Sequence, residues 1–349
     1  MFDLIQSYIS SQDFLIDESC EIIPMGDTIH ITFFYILPNI YVDIMKKDIE
    51  EILEKNGFFQ KIAITTSILS HKPQIGKKNF QNIKNIIVVA SGKGGVGKST
   101  VSANLAISLA NAGAQVGLLD ADIYGPSQPS IMGSYENPYS DNGKIEPLKL
   151  HGIEVISIGN LVDKDSALIW RGPMITGALM QLFEKTNWRS LDYLIVDLPP
   201  GTGDVQLTLS KQIPIAGSII VTTPQDLAKT DAQRAIAMFE KLSVPIIGII
   251  ENMSMYKCSN CGHEEKIFTS SSSHYPYQEK YNYIGEVPLS IDVSTSTNEG
   301  IPIVVRDKNG TIAEIYQKIA LSFSQVLSCR PKCLDVKLPD VIVEKKRDN

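Results

Sequence analysis

Short, unbroken apolar runs recur along the chain from position 85 onward, and several of them close on a small, acidic or amide residue. Asn85-Ile-Ile-Val-Val-Ala-Ser91 is rich in β-branched side chains and reads as a buried strand, and Val101 to Ala110 then places apolar residues at helical spacing. The same apolar signature predicts further strands at 116–119, 155–158, 193–196, 218–222 and 246–250. Strands without polar alternation, separated by helices, imply an α/β architecture in which a mostly parallel sheet carries helices on both faces.

The pattern before residue 73 is different. An initial helix, an apolar patch at Ile29–Leu37, helical spacing over Asp43–Leu53 and a strand at Lys61–Thr65 predict a small α+β unit. The basic stretch from Lys72 to Lys84, centred on Gly76, reads as a solvated linker. The expected organisation is therefore a small domain over 1–72, a linker over 73–84, the α/β domain over 85–327 and an extension over 328–349. The last residues, Val343 to Asn349, have little to bury and are expected to be mobile.

The chemistry concentrates where these strands end. Gly92-Lys93-Gly94-Gly95-Val96-Gly97-Lys98-Ser99-Thr100 follows the first strand and opens the helix, which is the context a phosphate-binding loop requires. Glycines at this spacing let backbone amides turn inward around phosphate oxygens, and the helix amino terminus adds further donors. Lys98 is expected to neutralise the β and γ phosphates of ATP, and Ser99 to offer its hydroxyl to Mg²⁺. Lys93 is one lysine more than a nucleotide in its own pocket needs.

Two other strands deliver carboxylates to the same edge. Asp120-Ala-Asp122 closes the second strand, and Asp122 either orients water or serves as a helix cap or part of the Mg²⁺ shell. Asp197 ends the run Leu191–Val196 and is followed by Leu-Pro-Pro-Gly-Thr-Gly-Asp204, a glycine-rich segment able to move when a phosphate leaves. It is the expected second-shell Mg²⁺ carboxylate, with a purely structural role as the alternative. Asn252, just past the strand at 246–250, can read an adenine edge or close a local turn, and Glu286–Leu289 fits either a base pocket or ordinary packing.

Cys258-Ser-Asn-Cys261 puts two thiols on a turn, a spacing that suits a redox couple, a zinc half-site or an iron-sulfur half-site. Soft tetrahedral centres usually take four ligands, so a pair near a two-fold axis can gain the other two from a second subunit. His263 is able to complete a mononuclear zinc site, although a turn histidine satisfied by backbone or water is the simpler expectation. Cys329 and Cys333 form a weaker pair, Cys20 reads as a bystander, and Trp170 and Trp188 read as core or interface anchors.

Composition narrows the classes. Over 349 residues, 32 lysines and arginines against 39 acidic residues give a net charge of −7, which argues against a broad nucleic-acid surface. Five cysteines beside nucleotide machinery do not suggest a disulfide scaffold, and neither an 18-residue apolar run nor a secretory leader is apparent, so the expected placement is cytoplasmic without integral membrane association.

Taken together, the phosphate loop, Trp170-Arg-Gly-Pro-Met174, Asp197–Asp204, Thr222-Thr-Pro-Gln225, Glu251-Asn-Met-Ser254 and Cys258-Ser-Asn-Cys261 resemble, in order, the Mrp/NBP35 family of iron-sulfur cluster carrier ATPases, a P-loop NTPase group with a deviant Walker A motif. The resemblance spans 85 to about 327, and the wider group includes MinD, ParA and nitrogenase iron protein relatives. It implies that Lys93 reaches the partner's phosphates in an ATP-bound homodimer while Lys98 acts within its own subunit. It further implies that Asp122 positions water, Asp197 supports Mg²⁺, Asn252 reads adenine, and Cys258 with Cys261 of both subunits hold a labile [4Fe-4S] cluster for apo iron-sulfur proteins, with cluster assembly factors as further partners.

Residues before 73 resemble the MIP18-like (DUF59) domain. Phe34-Tyr-Ile-Leu-Pro-Asn39 lacks the cysteine common there, which points that domain toward docking or regulation. A MinD- or ParA-like spatial organiser and a zinc-stapled regulatory ATPase are the alternatives. A basic membrane helix at the carboxyl end is disfavoured by Pro339.

Overall fold

In the computed structural model, residues 1–12, 20–74, 80, 82–160, 172–258, 261–269 and 277–333 are described. Trp170, Pro339 and the tail at 343–349 lie outside them.

The small amino-terminal domain contains α1 (Phe2–Ser10), β1 (Cys20–Met25), β2 (Thr28–Phe33), α2 (Asn39–Lys55) and β3 (Lys61–Thr66). Its strands form one sheet in the order β1-β2-β3. In β2 burial alternates with a period of two, so Ile29, Ile31 and Phe33 face Ile5 and Ile9 of α1 and Met45, Ile49 and Leu53 of α2. The core reaches into the neighbouring domain through Leu321, and the Ile36 amide donates to Ser324 Oγ at 3.2 Å.

The second unit runs β4 (Ile83–Ala90), α3 (Lys98–Asn111), β5 (Val116–Asp120), α4 (Gln128–Ile131), the hairpin β6 (Ser140–Asp141) and β7 (Lys144–Ile145), then β8 (Leu148–Leu150) and β9 (Ile153–Ser157). It continues through α5 (Gly172–Lys185), β10 (Leu191–Asp197), α6 (Asp204–Gln212), β11 (Gly217–Thr222), α7 (Asp226–Lys241), β12 (Ile246–Lys257) and β13 (Glu264–Glu265). The remaining elements are α8 (Tyr277–Lys280), β14 (Tyr283–Leu289), α9 (Ile291–Asn298), α10 (Ile303–Arg306) and α11 (Thr311–Ser328).

These strands build a nine-stranded sheet in the order β13-β12-β11-β4-β10-β5-β9-β8, with β14 also pairing β12. All pairings are parallel except β12 with β13 and β8 with β9. Both faces are covered, because alternate residues of each central strand enter separate cores. Ile87, Val89, Tyr193 and Ile195 pack with α3 and α11, whereas Ile86, Val88, Leu194 and Val196 pack with α5, α6 and α7. Helix α3 is buried from Val101 to Leu109 on every side, so it reads as apolar rather than amphipathic.

The segment expected to be a solvated linker is instead anchored where it is described. Gln74 is 6% exposed, and its side-chain amide donates to the Ser210 carbonyl at 2.6 Å and accepts from the Ile215 amide at 2.9 Å; His71, just before the linker, is 1% exposed. A strap after α11 closes over it, with Cys333 N donating to Ser70 O and Lys72 N to Pro331 O. Trp188, expected to anchor a core or an interface, is 5% exposed and belongs to the core. Glu286–Leu289 lies in β14, where Val287 is buried against the sheet.

Candidate functional site

Parallel strands bring their carboxyl ends to one edge, and three of them supply the site. β4 runs into the glycine loop. Its neighbour β10 ends in Asp197, and β5 on the far side of β10 ends in Asp120, directly in register with Asp197. The loop re-enters the fold as α3, whose cap is Gly97 at φ 82°, a left-handed conformation that favours glycine. No side chain caps this helix, which leaves its first amides for an anion. Space is equally restrictive. A Cβ on Gly92 would lie 2.1 Å from the Asp231 carbonyl carbon, and one on Gly97 would lie 2.2 Å from Asn252 Nδ2.

Lys98 is 5% exposed and reaches the Asp197 carboxylate, with Nζ 2.6 Å from Oδ1. Its distance to Asp122 Oδ2 is 3.7 Å, and it donates to Ser99 Oγ at 3.3 Å. Asp197 is fully buried and also accepts from Ser102 Oγ at 3.0 Å and Gln128 Nε2 at 3.0 Å. Three donors thus offset the cost of burying this carboxylate.

Asp120 pairs with no cation among the described residues. Burial, and then the Asp197 charge, push its carboxyl up to about 7, although Gln128 N, Ser157 Oγ and Asp122 N all donate to it. Asp122 is likewise raised, chiefly by burial and partly countered by Lys98. Its Oδ1 is buried with no hydrogen-bond partner among the described residues. An acceptor left over beside Lys98 and the Ser99 hydroxyl suits a water or a hydrated Mg²⁺, so the donor set fits the ion.

Lys93 is partly exposed at the loop's outer turn, and no ion pair joins it to another described residue. Gly94 and Gly95 are exposed, Val96 is buried, and Thr100 lies in the first turn of α3. The structure thus groups Lys98, Ser99, Asp122 and Asp197 around one point, whereas Lys93 is partly exposed and joins none of their contacts among the described residues. Gln128, Ser102, Ser157 and Asp120 belong to the same network. Only Asp120, as one of a pair of strand-end acids, had carried a sequence signal.

Asn252 is not beyond its strand but inside it. β12 continues to Lys257 across an irregular register between Asn252 and Tyr256, with Met253 at φ 56°. The Asn252 amide donates to the Val96 carbonyl at 2.9 Å, so it holds the glycine loop itself. The strand delivers Cys258 to a turn closed by Cys258 N to His263 O at 2.8 Å and Gly262 N to Cys258 O at 2.9 Å. Cys261 and His263 are exposed, and Cys258 is partly so. Among the described residues no three His, Cys, Asp or Glu side chains form a group able to hold a metal ion.

A glycine loop on a strand-to-helix turn, a lysine held by one strand-end carboxylate and a second carboxylate beside it together define a P-loop nucleoside triphosphatase. A family model for ParA, described as NUBPL iron-transfer P-loop NTPase, matches residues 82–324, and the chain belongs to that family. The iron-sulfur cluster carrier protein of Haemophilus influenzae is 50% identical over 271 residues, covering 76% of this chain and 73% of the relative. A protein of the same name from Pseudomonas fragi is 47% identical over 266 residues, covering 75% and 93%.

Among solved structures, a nucleotide-binding protein in complex with ADP from Archaeoglobus fulgidus has a TM-score of 0.58 at 36% identity, covering 67% of this chain and 93% of that one. The cell division ATPase MinD of Pyrococcus furiosus, with a TM-score of 0.53 at 20% identity over 69% of this chain and 99% of its own, shares the fold.

Proposed function

We propose that the chain is an ATP-hydrolysing iron-sulfur cluster carrier that works as a homodimer and delivers its cargo to apo-proteins. The observation that carries this reading is a single strand, β12. Asn252 within it holds the phosphate loop, and Cys258 stands just past its end. Movement of the loop is therefore communicated along one continuous element to a thiol turn.

Each protomer brings two thiols, Cys258 and Cys261, and a soft four-ligand centre needs two more. A second copy of the same turn across a two-fold axis supplies them, and a [4Fe-4S] cluster is then cargo shared between subunits. In the nucleotide-binding half, Lys98 exchanges Asp197 for the β and γ phosphates of ATP. Ser99 and the Asp122 and Asp197 carboxylates would hold Mg²⁺, which would supply charge neutralisation for the bound nucleotide. Asp122 Oδ1 is the acceptor available to orient a water.

Lys93 adds positive charge to the partner's nucleotide, so the closed dimer is favoured while the γ phosphate is present and loosened once it leaves. Loosening weakens a cluster whose ligands are divided. Lys93→Ala provides the test, because this side chain makes no ion pair within the described chain. The variant retains ADP binding but loses ATP-dependent dimerisation and any ATP effect on cluster transfer to an apo-ferredoxin. Unchanged ATP-dependent dimerisation and transfer in the variant contradict the cross-subunit role.

A further inference from the structure

Glu251 and Asn252 are consecutive in β12, so their side chains leave opposite faces of the sheet. Asn252 holds the phosphate loop near its end, through the Val96 carbonyl. Glu251 follows Ile249 on the face covered by α7, where its Oε2 lies 3.2 Å from Lys229 Nζ. Nothing in the chemistry assigned to Lys98, Ser99, Asp122 and Asp197 calls on either member of this ion pair.

Lys229 sits where a lysine is disfavoured on two counts. It lies in the opening turn of α7, whose amino terminus carries partial positive charge, and it is 8% exposed. Replacing a buried ion pair by uncharged groups of similar size often leaves a protein as stable or more so, and stability alone gives little reason to keep one. The pair does fix the start of α7 relative to the end of β12. Two residues beyond Lys229, the α7 backbone presses on the first glycine of the loop: a Cβ on Gly92 would lie 2.1 Å from the Asp231 carbonyl carbon and 2.7 Å from Ala232 N. That contact has backbone on both sides, so no side-chain rotation relieves it.

We propose that Lys229 and Glu251 are positioning residues for nucleotide binding. Their ion pair seats α7 against Gly92 while Asn252 holds Val96, so two successive residues of β12 grip the loop at both its ends. The span between the grips sets how the intervening amides converge on the phosphates. Without the ion pair, the start of α7 relaxes away from Gly92, the loop widens, and the phosphates are held less closely before and during hydrolysis alike. A loss of binding common to both stages raises KM and leaves kcat nearly unchanged.

Steady-state ATP hydrolysis and urea unfolding of the full chain, Lys229→Met, Glu251→Gln and the Lys229→Met/Glu251→Gln double variant test this, with hydrolysis measured at a temperature at which each is fully folded. Each single variant loses stability, because one charge stays buried without its partner, and its KM for ATP rises about tenfold. The double variant strands no charge and unfolds close to the parental urea midpoint, yet its KM remains raised while kcat stays within about twofold of the parent. The proposal is overturned if the double variant recovers the parental KM along with stability, which makes the pair a stability element only. It is also overturned if kcat falls in the single variants while KM holds at the parental value.

Discussion

Lys98 and Asp197 form a buried ion pair with Nζ 2.6 Å from Oδ1, and the carboxylate takes two further hydrogen bonds, from Ser102 and Gln128. The lysine is thus a structural counterion before it is a phosphate ligand. Removing it leaves the fully buried Asp197 carboxylate, with Asp122 close by, without its cation. Lys98→Ala in the nucleotide-free protein is expected to cost about 3–5 kcal/mol in urea unfolding. Adding Asp197→Asn restores a substantial part of that loss without restoring ADP binding. A Lys98→Ala protein as stable as the parent contradicts the counterion role.

The bond from Asn252 to Val96 gives a second expectation. Asn252→Ala should lower stability by about 1 kcal/mol and weaken ADP binding through a looser loop. Asn252→Asp is nearly isosteric but cannot donate to a carbonyl, so it should be no better than alanine. Fluorescent ADP titration of both variants checks this. Near-parental binding by the aspartate variant indicates that donation to Val96 is dispensable.

His71, just before the linker, makes stability depend on acidity. Its ring faces Asn85 Oδ1 at 3.1 Å, with Lys332 and Arg330 of the strap nearby, and burial chiefly lowers its pKa. The folded state therefore binds fewer protons than the unfolded chain once the pH drops below about 6.5, the unfolded value. Stability contributed by the neutral ring is complete above that pH and falls as the solution is acidified, with a slope of up to about 1.4 kcal/mol per pH unit. Comparing urea unfolding of the parent and His71→Gln between pH 7.5 and 5 should show a smaller decline in the variant. Parallel curves contradict the assignment.

Local chemistry was the legible part of this chain. Strand-end carboxylates, the glycine loop and the paired thiols each announce themselves in a few adjacent residues, and the apolar runs located the central strands to within a few positions. What remained hidden depends on contacts made at a distance. Gln128 reaches Asp197 across 69 positions, and nothing beside it in sequence signals that. β12 looked shorter because Asn252-Met-Ser254 breaks the apolar run, yet the strand passes through that point with Met253 in a left-handed conformation. β14 was obscured by Gly285, which the packing requires, since a Cβ there would lie 2.2 Å from Ile319 Cγ1. The linker looked solvated because it is basic, whereas Gln74 is held by backbone groups and Lys72 by the strap after α11.

The claim on which the functional account rests is that the thiols of two protomers share one cluster. Anaerobic reconstitution followed by iron, zinc and acid-labile sulfide analysis of the parent, Cys258→Ala and Cys261→Ala proteins tests it most directly. The account predicts about four iron and four sulfide per dimer in the parent and loss of both in either variant. One zinc and no sulfide per dimer, or a cluster that survives either substitution, would contradict it.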